Sequence, residues 1–150
     1  MANYDSVSQL YLDSFGQARI GIVAATPLNT AGNAVVTIPL IAGGLTNSTT
    51  AGASGAVIVR RVSVMNPSGS LSSAYVSITT SNDGNASNAI VSNAALSSIT
   101  GVNTFQDMTI AGGNVVVNGN TTSCLYVNVN VVAGNTNTAD IRVYGDVVRF

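Results

Sequence analysis

Residues 123–150 read SCLYVNVNVVAGNTNTADIRVYGDVVRF, and the alternation inside this stretch decides the fold class. Leu125, Val127, Val129 and Val131 alternate with Cys124, Tyr126, Asn128 and Asn130. Further on, Ile141, Val143, Gly145 and Val147 alternate with Arg142, Tyr144, Asp146 and Val148. A period of two belongs to strands with one buried and one exposed face. Gly134-Asn135-Thr136-Asn137 lies between them and tolerates positive φ, so the spacing predicts a hairpin. A lone hairpin is marginal in water, and the remaining chain has to cover its apolar face.

The composition extends this to the whole chain. There are 17 Asn, 17 Ser, 15 Thr and 15 Gly among 150 residues, types that favour turns and strands over helix interiors. All the charge sits on five Arg and six Asp, with no Lys, Glu or His, so neutral polar groups must supply solubility. A net charge of −1 gives no electrostatic footprint for nucleic acid. The apolar runs are strand-sized, short of the ~20 residues that span a bilayer, and no membrane partner is expected. The opening MANYDSVSQL lacks a basic region and a long apolar region, so no signal peptide is expected and synthesis in a cytosol is. A single Cys124 excludes an internal disulfide.

Two regions are expected, an N-terminal segment over 1–18 and one β-sandwich domain over 19–150. In the first, Val7, Leu10, Tyr11 and Phe15 recur at helical spacing, which fits a short amphipathic helix; an extended arm fits equally well. Such a segment either closes one end of the core or docks on a neighbouring subunit. Strands are expected over 19–25, 34–41, 56–66, 74–79 and 104–110, with a short strand or a helical turn over 88–98, followed by the two closing strands. Pro39 cannot donate to a ladder, which puts either the second strand at a sheet edge or Pro39 at a position whose N–H side needs no partner. Residues 43–55 form a long Gly/Ser/Thr/Ala loop. In the third strand Val57 and Val59 share one parity, and Val62 and Val64 the other. A β-bulge at Arg60-Arg61 would turn all four inward, and surface ion pairs explain the two arginines better than an anion site does. Val115–Val117 is expected to turn through Asn118-Gly119, a favoured hairpin dipeptide. About eight strands with frequent turns give an all-β antiparallel sandwich, and a jelly-roll-like arrangement of two four-stranded sheets is preferred over an immunoglobulin-like one that the pattern equally allows.

Chemistry is conspicuous by the residues missing. Without His, Glu or Lys, the serines have no ordinary base to activate them, and the scattered Asp form no motif, so enzyme activity is not expected. Asp140 and Asp146 share a face and are read as partners of Arg142 or Arg149. Asp83 and Asn85 superficially suggest a calcium loop, but the turn reading is preferred because the loop's other carboxylates are missing. No zinc or phosphate motif is present, and no cofactor is expected.

The run VRRVSVMNPSGSLSSAYVSITTSNDGNASNAIVSNAALSSITG at 59–101 and the ending IRVYGDVVRF at 141–150 resemble small virion proteins of tailed bacteriophages of marine bacteria. The resemblance spans residues 20–150 and rests on ordered strand-turn phrases. It implies a capsid decoration protein on the head surface of a virion, with the major capsid protein or other virion proteins as partners and a homo-oligomer, such as a trimer, as its state. No functional residues carry over from it. The interface residues read from the pattern are Val7, Leu10, Tyr11 and Phe15 in the arm, with Tyr126, Tyr144 and Phe150 on the outer parity of the last strands. For Tyr126 and Tyr144, a cross-strand aromatic pair is the alternative. Other functional classes are a glycan- or receptor-binding sandwich, which would need aromatic platforms beside polar loops, and a minor tail or fibre component.

Overall fold

The period-two segments are strands wherever the chain is described. The computed structural model describes residues 3–5, 10–12, 18–40, 55–111, 115–118 and 124–149. These form β1 (Asn3–Asp5), β2 (Leu10–Leu12), β3 (Ala18–Pro27), β4 (Gly32–Pro39), β5 (Gly55–Met65), β6 (Tyr75–Thr79), β7 (Ala89–Ala95), β8 (Gln106–Met108), β9 (Val115–Asn118), β10 (Cys124–Val131) and β11 (Thr138–Arg149). A 3-10 turn, Ala86–Asn88, precedes β7.

Pairing follows a nested order. From the outside in, β3 pairs with β11, β4 with β10, β5 with both β8 and β9, and β6 with β7, all antiparallel. That double ribbon is then rolled, so that β11 also pairs with β5 and β10 with β6. The result is a larger sheet in the order β1-β2-β3-β11-β5-β8, with β9 also on β5, facing a smaller sheet β4-β10-β6-β7. Eight positions in two Greek keys define a jelly-roll sandwich. β8 and β9 share one of those positions, and β1 and β2 extend the larger sheet beyond it. Pro39 does lie in an edge strand, β4.

The closing stretch is not a hairpin. β10 lies in the smaller sheet and β11 in the larger one, and residues 132–137 cross between them. Alternation reports that each strand is half-buried, but it carries no information about which strand lies alongside. The crossing loop is held at the sandwich end instead: the Ala133 N–H donates to the Leu28 carbonyl at 2.8 Å, and the Asn135 and Asn137 amides donate to the Ser70 carbonyl at 2.9 and 3.0 Å. For the same reason Asn118 does not turn into β10, since β9 pairs with β5 in the opposite sheet. The N-terminal segment, where described, is extended. β1 and β2 pair with Tyr4 opposite Tyr11, and β2 joins β3 through Leu12 and Ala18, which replaces the helical alternative. A short isolated helix is marginal in water, whereas the β3 edge offers unpaired backbone groups. The loop read at 43–55 falls, apart from Gly55, outside the described residues.

The parity switch in β5 is a bulge, as expected. Tyr144 is the partner of Arg61 and Gly145 the partner of Val59, so Arg60 is the extra residue. Val57, Val59, Val62 and Val64 are consequently all buried, against Ile38, Leu125, Val127 and Ile78 of the core. The bulge brings backbone onto β11: a Cβ at Gly145 would stand 2.0 Å from the Ile58 carbonyl oxygen. No side chain fits there without moving the β5 backbone. Gly145→Ala is therefore expected to destabilise the fold by about 3 kcal/mol in denaturant unfolding. Gly134→Ala, at φ +75 but in open space, should lose about 1 kcal/mol. Gly101→Ala, with nothing within 4 Å, should stay within about 0.5 kcal/mol of the parent.

Candidate functional site

Four connections converge at one end of the sandwich: those leaving β3, β5, β7 and β10. They are tied together by backbone and amide hydrogen bonds. Besides the contacts of 132–137, the Ser68 N–H donates to the Thr138 carbonyl at 2.9 Å and the Thr138 N–H to Ser68 Oγ at 2.9 Å. The Ser73 hydroxyl donates to the Ala133 carbonyl at 2.7 Å. The loop after β7 is anchored by buried Leu96 and Ile99, whose backbone groups meet Ala74 and Leu71. Gln106 clamps the loop's two limbs, donating to the Ala95 carbonyl at 2.7 Å and accepting from the Ser98 N–H at 3.0 Å. Thr104 Oγ1 donates to the Gly101 carbonyl at 2.5 Å. The loop tip is thus fixed, and it holds Val102 and Phe105 outward at 59% and 62% exposure.

Facing that tip is the end of β5. Met65, Asn66 and Pro67 on one side, and Val102, Asn103, Thr104 and Phe105 on the other, line a cleft of about 420 Å³. This lies within the range of about 300–1,000 Å³ common for small-ligand sites. No lining residue is charged. Asn66 and Asn103 both adopt left-handed backbone, at φ 50 and 65, a conformation that Asn tolerates better than most residues. Asn66 is held from below, its Nδ2 donating to Asp140 Oδ2 at 2.8 Å.

Asp140 is the electrostatic anchor of this end. Its other oxygen accepts the N–H of Ala25 at 3.0 Å, at a β3 irregularity where Ala25 has φ 50, and Arg142 lies 3.3 Å from Oδ2. Burial on its own would raise the Asp140 pKa. The Asn66 amide, the Ala25 N–H and Arg142 outweigh it and hold the carboxyl below its ordinary range. Asp146 pairs with Arg60 at 2.7 Å, and Asp107 lies 3.8 Å from Arg61 while accepting from the Ser63 hydroxyl. The adjacent arginines therefore sit on a bulge with surface ion pairs. Asp83 is spent on its own turn, accepting from the Ser81 hydroxyl and, at 3.0 Å, from the Asn85 N–H.

Of the residues read from sequence as an interface, four lie among the described residues. Val7, Phe15 and Phe150 lie outside the described residues. Leu10 and Tyr11 lie in β2, with Asp5 and Tyr4 as register partners. Tyr126 and Tyr144 occupy different sheets, so they form no cross-strand pair and share no surface. Tyr126 is half-buried between Thr37 and Thr79, next to a polar ladder in which Asn128 accepts from the Ala34 N–H at 2.7 Å and donates to Thr79 Oγ1 at 3.0 Å. Tyr144 is only 2% exposed, because the Arg61 guanidinium lies over its ring at 4.5 Å. The cleft, in turn, was missed from sequence, although a signal existed: Phe105 falls on the parity opposite Ile110, and a large aromatic off the core parity of a short strand points outward.

Comparison with protein-family models, with curated proteins and with solved structures gives no match. The Asp140 anchor has a direct test. A folded-state pKa below the unfolded value of about 3.9 stabilises the fold above that pH, and the stabilisation disappears as pH falls through the folded value. Asp140→Asn is expected to lose about 2 kcal/mol at neutral pH. Denaturant unfolding at several pH values should show the gap between parent and variant closing as the pH falls from about 5 toward 2. A gap independent of pH would contradict the assignment.

Proposed function

We propose that the protein is a non-enzymatic structural component of a virus particle, a decoration protein that binds the outer surface of an assembled phage head. The reading rests first on the β1–β2 hairpin. It continues the larger sheet beyond β3, outside the nested pairs that close the sandwich. Strands beyond those needed to close a core are suited to pairing or docking with neighbouring subunits, through backbone groups at a sheet edge. The composition supports the same reading, since no His, Glu or Lys is present to serve as an ordinary catalytic base. The resemblance of 20–150 to small phage virion proteins points the same way. On this reading the partner is the major capsid protein or another virion protein, the working state is a homo-oligomer such as a trimer, and the protein resides in the virion.

The experiment adds purified protein to capsids assembled without it. Saturable binding at shell stoichiometry is expected, together with a higher temperature of shell disassembly, because a ligand of the assembled lattice stabilises it. A chain beginning at residue 18, shown to be folded by circular dichroism, should bind about tenfold or more weakly. Absence of saturable binding would overturn the reading, and undiminished binding by the shortened chain would remove the hairpin from it.

A further inference from the structure

We infer that the cleft between Met65–Pro67 and Val102–Phe105 is a carbohydrate site, taking a neutral mono- or disaccharide. Head attachment is a separate matter, because this inference rests on the loop end and the head-binding proposal on β1 and β2 beyond β3.

The chemistry of the lining selects the ligand. Phe105 and Val102 present apolar surface from a loop whose backbone is pinned, so their exposure is built in and needs no ordering on binding. Exposed aromatic and aliphatic groups beside a concavity need a ligand with an apolar face. The remaining lining adds hydrogen-bonding groups of defined polarity. Asn66 Nδ2 gives one of its two hydrogens to Asp140, which leaves one donor and Oδ1 as an acceptor. The Thr104 hydroxyl hydrogen is committed to the Gly101 carbonyl, which leaves its lone pairs. Among the described residues the Asn103 amide has no hydrogen-bond partner, and it offers both donors and an acceptor at the cleft wall.

A ligand complementary to this set donates several hydrogen bonds, accepts at least one, carries an apolar face and is uncharged. Vicinal hydroxyls on a pyranose ring meet all four requirements, with the ring's C–H face laid against Phe105. The uncharged lining disfavours phosphates, sulfated sugars and sialylated sugars, since a buried anion without a cationic partner is costly. A protein partner is the less fitting occupant, because the apolar lining is limited to Met65, Pro67, Val102 and Phe105 around a concavity.

The test uses the full chain on an array of neutral, sulfated and sialylated glycans, followed by calorimetric titration of hits. Binding of one or more neutral glycans is expected. Phe105→Ala and Asn103→Ala should each weaken it by about tenfold or more, corresponding to about 1.4 kcal/mol. Val116→Ala, on β9 away from the cleft and 65% exposed, should bind as the parent does. Circular dichroism and unfolding midpoints confirm that each variant is folded. Failure of every neutral glycan to bind, binding restricted to acidic glycans, or equal affinity for parent and Phe105→Ala would each overturn the inference. So would loss of capsid binding by Phe105→Ala without any glycan binding, which would assign the cleft to a protein contact while leaving the head-binding proposal standing.

Discussion

The bulge at Arg60 against Gly145 is the constraint on which the larger sheet depends. β5 must present Val57, Val59, Val62 and Val64 to one core although they fall on two parities, and only an extra residue between the pairs allows it. The extra residue pushes the Ile58 carbonyl to where a Cβ on β11 would be, and Gly145 gives way. On the other flank of β11, β3 shifts register at the same level, between the partners of Val143 and Tyr144. β11 is therefore a regular central strand between two irregular neighbours. The outward residues at that level, Arg61 and Tyr144, stack on one another, and Arg60 reaches Asp146. Three of the protein's eleven charged residues, Arg60, Arg61 and Asp146, thus serve the geometry of one sheet.

With charge used in this way, the neutral polar residues take over work that ion pairs do elsewhere. Asn128 satisfies the N–H of left-handed Ala34 and ties it to Thr79 across the smaller sheet. Asn135 and Asn137 lock the crossing loop to Ser70, and Gly69 leaves the room that Asn137 occupies. Side-chain amides that bond backbone carbonyls fix loops without depending on salt or, above the carboxylate range, on pH. One carboxylate shares this role: Asp140 joins β3, the end of β5 and Arg142. A loop end held mainly by neutral hydrogen bonds follows from this economy.

Much of the fold was legible because the alternation is strong. The β5 bulge could be read from the parity of four valines, and the edge position of β4 from Pro39. Partnership was not legible. The sequence 124–149 contains two clean strands and a turn-forming connection, and the same words spell a hairpin or a crossover; the choice is made by residues far away, such as Leu28 and Ser70, which hold the connection at the sandwich end. The candidate site was hidden for a related reason. Tyr144 looked exposed by parity, yet Arg61 lies over it, a contact that depends on the bulge bringing the two into register. Phe105 was available as a clue only through its conflict with Ile110.

The division of residues 124–149 between two sheets is the claim from which the jelly roll, the buried Tyr144 and the loop-end cleft all follow. Cross-strand backbone NOEs in an isotope-labelled sample test it most directly. The fold requires contacts of Val127 with Ile78 and of Val143 with Val62, and none between the 124–131 and 138–149 strands. A ladder of NOEs joining those two strands to each other would contradict it.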